Sequence, residues 1–108
     1  SYFENASPNP LAQQFIKAYK EKYNVDPDMF AAAIYEAVYI AKASAEKMGD
    51  TKDMAAFRTA LRDELAKIKD LPGVQGPTTF DAKGQADKQV MIVQWTGGQK
   101  KILYPKSN

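Results

Sequence analysis

Between residues 10 and 68 the apolar positions recur at helical spacing in three blocks, and beyond residue 88 they follow a strand pattern. Leu11, Phe15, Ile16, Tyr19 and Tyr23 make one stripe, with Gln13, Lys17, Lys20 and Lys22 outside it. Asn9-Pro10 stands in front: a side chain able to accept hydrogen bonds from a first turn, then a residue whose fixed φ suits the first helical position. The spacing predicts a helix from Pro10 to about Tyr23. Asn24-Val25-Asp26 is the turn into a second helix, capped by Asp26, with Pro27 as its first residue and Met48 near its end. Gly49 is expected to close it in the left-handed conformation, with Lys47 near the negative end of the dipole. After Asp50-Thr51 a third helix is predicted from about Lys52 to Ile68. Met54, Phe57, Leu61, Leu65 and Ile68 form its single buried stripe, and Arg58, Arg62, Asp63 and Glu64 lie off it.

From Met29 to Ala41 the only charge is Glu36, so the second helix is apolar nearly all the way round and calls for cover on most sides. The remaining chain offers little to cover it. Ser1-Tyr2-Phe3 is a short apolar start before the turn-rich loop Glu4 to Pro8. Leu71-Pro72-Gly73 ends the helical part, and Thr78-Thr79-Phe80 has β character. Asp81-Ala82-Lys83-Gly84 reads as a turn. Gln89 to Thr96 is the clearest strand, with Val90, Ile92 and Gln94 on one face and Met91, Val93 and Trp95 on the other. Apolar residues on both faces predict cover on both. Gly97-Gly98 forms a two-residue hairpin turn, Gln99 to Tyr104 returns antiparallel, and Pro105 ends the strand. A lone two-stranded hairpin is marginal, and two amphipathic helices cannot enclose the central one. The natural protein is therefore expected to contain more sheet than this chain. The start at Ser1, without Met or a signal-like stretch, is read as a processed or truncated product.

Composition narrows the function classes. The 108 residues make one domain or part of one. A hydrophobic fraction of 44% and a charged fraction of 26% are ordinary for a globular protein. The net charge of +2, with Lys100-Lys101 as the only adjacent basic pair, gives no pull toward nucleic acid. Without cysteine there is no disulfide or thiolate zinc site, and the redox compartment stays undecided. Without histidine the usual general base, proton shuttle and commonest metal ligand are missing together. No run approaches the ~20 uninterrupted apolar residues of a membrane-spanning helix.

Candidate chemistry is sparse. Glu36 is read as a solvated or salt-bridged position on a narrow polar edge near Lys42 and Ser44, with a buried acid or ligand-facing carboxylate as the alternative. Asp81, Gly84 and Asp87 lack the alternating oxygen ligands of a calcium loop, so a plain turn is expected. Neither Gly73 to Gly76 nor Gly97-Gly98 leads into a helix N-terminus, so neither is a phosphate cradle. Asp53, Asp63 and Glu64 are charged surface, and no nucleophile, base and orienter set can be assembled. No catalytic residue, metal site or cofactor is expected. Aromatics at helical spacing are core by default, which is the reading for Tyr39. For Phe30 core packing is the default as well, with a ligand role as the alternative, because a first turn where helix meets loop could border a cleft.

Four segments in order resemble one family. They are Asn9-Pro10 before Phe15-Ile16-Lys17-Ala18-Tyr19-Lys20-Glu21-Lys22-Tyr23; Pro27 before Ala33-Ile34-Tyr35-Glu36-Ala37; Pro72-Gly73-Val74-Gln75-Gly76 leading to Phe80-Asp81-Ala82-Lys83-Gly84; and the apolar strand with Gly97-Gly98 and Lys101-Ile102-Leu103. Together they are similar to the C-terminal third of the periplasmic substrate-binding proteins of ABC transporters for branched-chain amino acids and related small acids. The resemblance implies an α/β chain, a fragment of a type I bilobed fold in which hinge closure clamps a ligand between two lobes. Residues 1–88 would be the helical part of the first lobe, with the last interlobe crossing around Asp81 to Lys88, and residues 89–108 strands of the second. It further implies a non-enzymatic receptor, periplasmic or extracytoplasmic and lipid-anchored in a Gram-positive, whose partners are a small amino acid or carboxylate ligand and the membrane permease. In relatives an aromatic near the start of the matching helix lines the cleft; Phe30 occupies that place, with Met29 beside it, and Tyr35 is a packing residue. The groups that would grip a ligand's carboxylate and amino group belong to segments absent here, so an amino acid is not told from an aromatic or aliphatic carboxylate. The competing reading is a stand-alone helical protein-interaction domain. As an isolated fragment the chain is expected to self-associate.

Overall fold

The computed structural model describes residues 3–104, so the expected Ser1-Tyr2 start and the stop at Pro105 lie outside the described residues. Among the described residues three helices, α1 (Pro10–Tyr23), α2 (Met29–Ala45) and α3 (Met54–Ala66), precede four short strands, β1 (Thr79–Phe80), β2 (Ala86–Asp87), β3 (Ile92–Thr96) and β4 (Gln99–Tyr104). The strands form two separate antiparallel hairpins, β1 with β2 and β3 with β4.

Local chemistry sets the boundaries. Asn9 caps α1, its side chain accepting from the Leu11 amide at 3.0 Å, and Asn24 closes the helix at φ 57°, the left-handed conformation Asn tolerates better than most residues. The cap of α2 is Asp28, not Asp26, and Pro27 precedes the helix rather than opening it. Asp28 lies directly before the apolar run and reaches the Ala31 amide at 2.8 Å, while Asp26 is held by Lys20 at 2.9 Å. Nor does Gly49 close α2. The helix ends at Ala45, and Lys47 and Met48 donate to the Ser44 and Ala45 carbonyls in a tightened last turn that needs no left-handed residue. Asp53 rather than Asp50-Thr51 caps α3, accepting from Ala56 at 2.8 Å.

The core is small and sits where α1, α2 and the loop after α3 meet. Phe3, Ala12, Phe15, Ile16, Ala32 and Val74 are buried together, with Tyr19, Met29 and Ala31 packed against them. Phe15 is its centre, edge-on to Phe3 at 5.9 Å and against Tyr35 at 4.6 Å between ring centroids. The expected burial fails elsewhere. The α3 stripe is not buried as a whole: Met54 and Phe57 are exposed and Leu61 and Leu65 half-buried, and only Ile68, beyond the helix, is enclosed. Among the described elements α3 packs chiefly on α2, which covers one side of that stripe and no more. Tyr39, expected in the core, is exposed as well.

The turn at Asp81 forms as expected. Its carboxylate accepts from the Lys83 and Gln85 amides, each at 2.8 Å, and Gly84 adopts φ 76°. Gly97 and Gly98, at φ 58° and 78°, make the β3–β4 turn with the double positive φ that matches strand twist. The first of these strands is shorter than the Gln89–Thr96 expected. Tyr104 stands opposite Ile92, the outermost pair of the register among the described residues. Its expected two-sided cover is also missing, since Val90, Ile92 and Trp95 are exposed.

Candidate functional site

The segment from Asp28 to Glu36, with the loop 73–78 beside it, carries both the expected ligand residues and the most enclosed polar cluster. Capping by Asp28 fixes the first turn of α2, and the Met29 carbonyl accepts from Gln75 Nε2 at 3.4 Å. Met29 turns its side chain toward the core and is half-buried, whereas Phe30, one residue on, is 71% exposed. Ile34 and Val38 follow Phe30 at four-residue steps and are 71% and 64% exposed, so α2 carries a continuous uncovered apolar ridge. Tyr35 and Tyr39 border it, their rings 4.8 Å apart. The Tyr35 hydroxyl donates to Tyr39 at 3.2 Å. That bond first, then partial burial and the neighbouring phenol's charge, hold Tyr35's titration above the ordinary tyrosine range.

Glu36 departs from its expected place. It is buried, 4% exposed, and its partner is Lys88 instead of Lys42, which pairs with Glu46. Ser44 is buried too, so the proposed polar edge does not exist. One carboxylate oxygen of Glu36 accepts from Thr78 Oγ1 at 2.9 Å and from Lys88 Nζ; the other accepts from the Gln75 amide at 2.8 Å. Gly73 lies so close that a Cβ there would sit 2.6 Å from the carboxylate, and its carbonyl accepts from Asn9 Nδ2 at 2.8 Å. The loop is thereby tied to the start of α1 and the middle of α2. Sequence reasoning missed Lys88, Thr78 and Gln75. The only signal was an isolated charge in an apolar helix, which says that a partner is needed and not where in the chain it stands.

Among the described residues no group of three or more potential ligands could hold a metal, and no helix is long and apolar enough to cross a membrane. A cavity of about 940 Å³ opens between the loops 6–11 and 72–77 and the second hairpin, with Ser7, Asn9, Val74, Met91 and Lys101 on its walls. Neither Phe30 nor Met29 lines it. Among the described residues Phe30 is left open to solvent rather than enclosed.

Residues 1–100 match the family described as periplasmic binding protein. The Leu/Ile/Val-binding protein homolog 3 of Brucella melitensis is 32% identical over 97 residues, which cover 89% of this chain and 25% of that protein. Among solved structures, the branched-chain amino acid transporter substrate-binding protein of Streptococcus pneumoniae in complex with isoleucine superposes with a TM-score of 0.75 at 30% identity, over 97% of this chain and 29% of its own. The ABC transporter substrate-binding protein of Desulfitobacterium hafniense in complex with Leu gives 0.78 at 26% identity, over 95% and 30%. The chain thus spans a quarter to a third of the relatives it matches. It belongs to the periplasmic binding protein family, and its three helices and antiparallel strands are part of that family's type I bilobed α/β fold.

Proposed function

We propose that this chain is the C-terminal part of an extracytoplasmic solute receptor that clamps a small amino acid or carboxylate between two lobes and delivers it to the membrane permease of an ABC importer. Residues 1–88 belong to the helical side of the first lobe and residues 89–108 to the second. The observation that carries this reading is the uncovered ridge Phe30, Ile34 and Val38 in a chain that matches such receptors over nearly all its length. An apolar helix face left in water is costly at roughly 25 cal/mol per Å², so it calls for a covering layer. The sheet of the first lobe, upstream of this chain, would supply that layer over Ile34 and Val38, with Phe30 at its edge. The relatives solved with leucine and isoleucine make branched aliphatic amino acids the first ligands to test.

In this reading Phe30, with Met29 beside it, borders the interlobe cleft. Its exposure and its position in the capped first turn support that role, because the helix fixes the ring's place without enclosing it. Phe30→Ala in the full-length receptor is expected to weaken L-leucine binding by about tenfold or more, as loss of an aromatic anchor does, with little change in unfolding. Unchanged affinity by titration calorimetry removes Phe30 from the site. A stand-alone helical interaction domain would use the same ridge for a partner; a parent reading frame without α/β sequence upstream would favour it.

A further inference from the structure

We infer that Glu36 is a positioning residue for lobe closure: through Lys88 it fastens the last interlobe crossing to the helix that carries Phe30. The inference rests on the two-lobed reading above. Both partners are nearly removed from water, with side-chain exposures of 11% for Lys88 and 5% for Glu36, so the pair is not an incidental surface contact. They are 52 residues apart, and Lys88 is the first residue after β2, where the chain leaves the β1–β2 hairpin for the second lobe. The same carboxylate accepts from Thr78, immediately before β1, and from the Gln75 amide, while Gln75 also donates to the Met29 carbonyl. Phe30 and the root of the crossing therefore share one anchor. Gly73 leaves just enough room for that carboxylate, so the anchor has little freedom to shift.

A crossing held at its root bends over fewer residues, which narrows the range of lobe orientations before ligand binds. Releasing Lys88 lengthens the free crossing and shifts the open–closed balance, and with it the apparent affinity. This differs from simple stabilisation, because stability can be restored without the tether. Replacing both charges by neutral side chains removes the cost of an unpaired buried charge but leaves nothing to hold the crossing.

The test uses the full-length receptor, otherwise free of cysteine, with spin labels at Arg58→Cys on α3 and Gln99→Cys on β4, both exposed in a chain that has no cysteine of its own. Interlobe distance distributions are measured without ligand for the wild type, Glu36→Gln, Lys88→Met and the double variant, alongside thermal unfolding and L-leucine affinity. The expected result is a broadened or shifted distribution in all three variants and an affinity change of about fivefold or more, the usual scale of such coupling. The double variant regains stability relative to the single ones but keeps the altered distribution. Wild-type distributions throughout, or distributions that return to wild type as stability returns in the double variant, overturn the inference. Failure of the wild type to bind L-leucine or L-isoleucine instead counts against the proposed function, while the ligand-free distances still decide the role of Glu36.

Discussion

At the residue scale, the contact between Gly73 and Glu36 shows how one buried charge constrains its surroundings. Gly73→Ala would drive a Cβ to 2.6 Å from the carboxylate, where the Gln75, Thr78 and Lys88 bonds oppose any retreat. A destabilisation of about 1–3 kcal/mol, typical of overpacking, is expected in chemical unfolding. The Tyr35–Tyr39 pair offers a second check. Tyr39→Phe removes the acceptor that keeps the Tyr35 hydroxyl protonated, so Tyr35 should titrate closer to the ordinary tyrosine range, as followed by phenolate absorbance. The sign is fixed by the direction of the shift. A raised phenol stabilises the fold below the ordinary tyrosine value of about 10 and loses that contribution as pH rises through the folded-state value. Asn9 as a cap was legible, because the signal and the bond lie within two residues. Asp28 was misassigned because Asp26 and Asp28 both flank Pro27, and the ion pair of Asp26 with Lys20 separates them only in three dimensions. The partner of Glu36 was not legible at all, since no local rule links positions 52 residues apart.

At the element scale, α2 holds the chain together on one side and is bare on the other. Ala32 and Glu36 face inward, while Phe30, Ile34 and Val38 face out. The sequence announced an element that needs more neighbours than the chain has, and α2 and β3 both keep exposed apolar faces. The expected burial of α3 failed for the same reason, since a periodic stripe specifies a face to be covered and not the element that covers it. The isolated chain is expected to hide these faces by self-association, seen as concentration-dependent sedimentation with binding of an apolar dye. Ile34→Lys combined with Val38→Lys should reduce both, because charges on the ridge resist burial. A sharp monomer without dye binding would contradict the assignment of an unfinished face. Helix existence and the two glycine-marked turns were legible from spacing and turn chemistry. The register irregularity between Ile92 and Val93 was not legible, because alternation of apolar residues carries no sign of a bulge.

At the scale of the whole molecule, the Cα radius of gyration is 16.3 Å and the extents are 57 × 32 × 20 Å. A compact chain of this length would have a radius of about 13 Å. The excess fits a helical body and a hairpin joined by the loop and β1–β2 segment, with the Lys100–Glu4 pair linking β4 back to the N-terminal loop. Family membership was legible because four ordered segments span nearly the whole chain, whereas the ligand was not, because the chain spans only a quarter to a third of the relatives' length. The most direct test is a crystal structure of the full-length protein grown with L-leucine. Two lobes are expected, with Ile34 and Val38 buried under a sheet built from upstream residues and the Phe30 ring facing the cleft between the lobes. A structure in which that ridge stays in water and Phe30 lies away from any interlobe cleft would contradict that expectation.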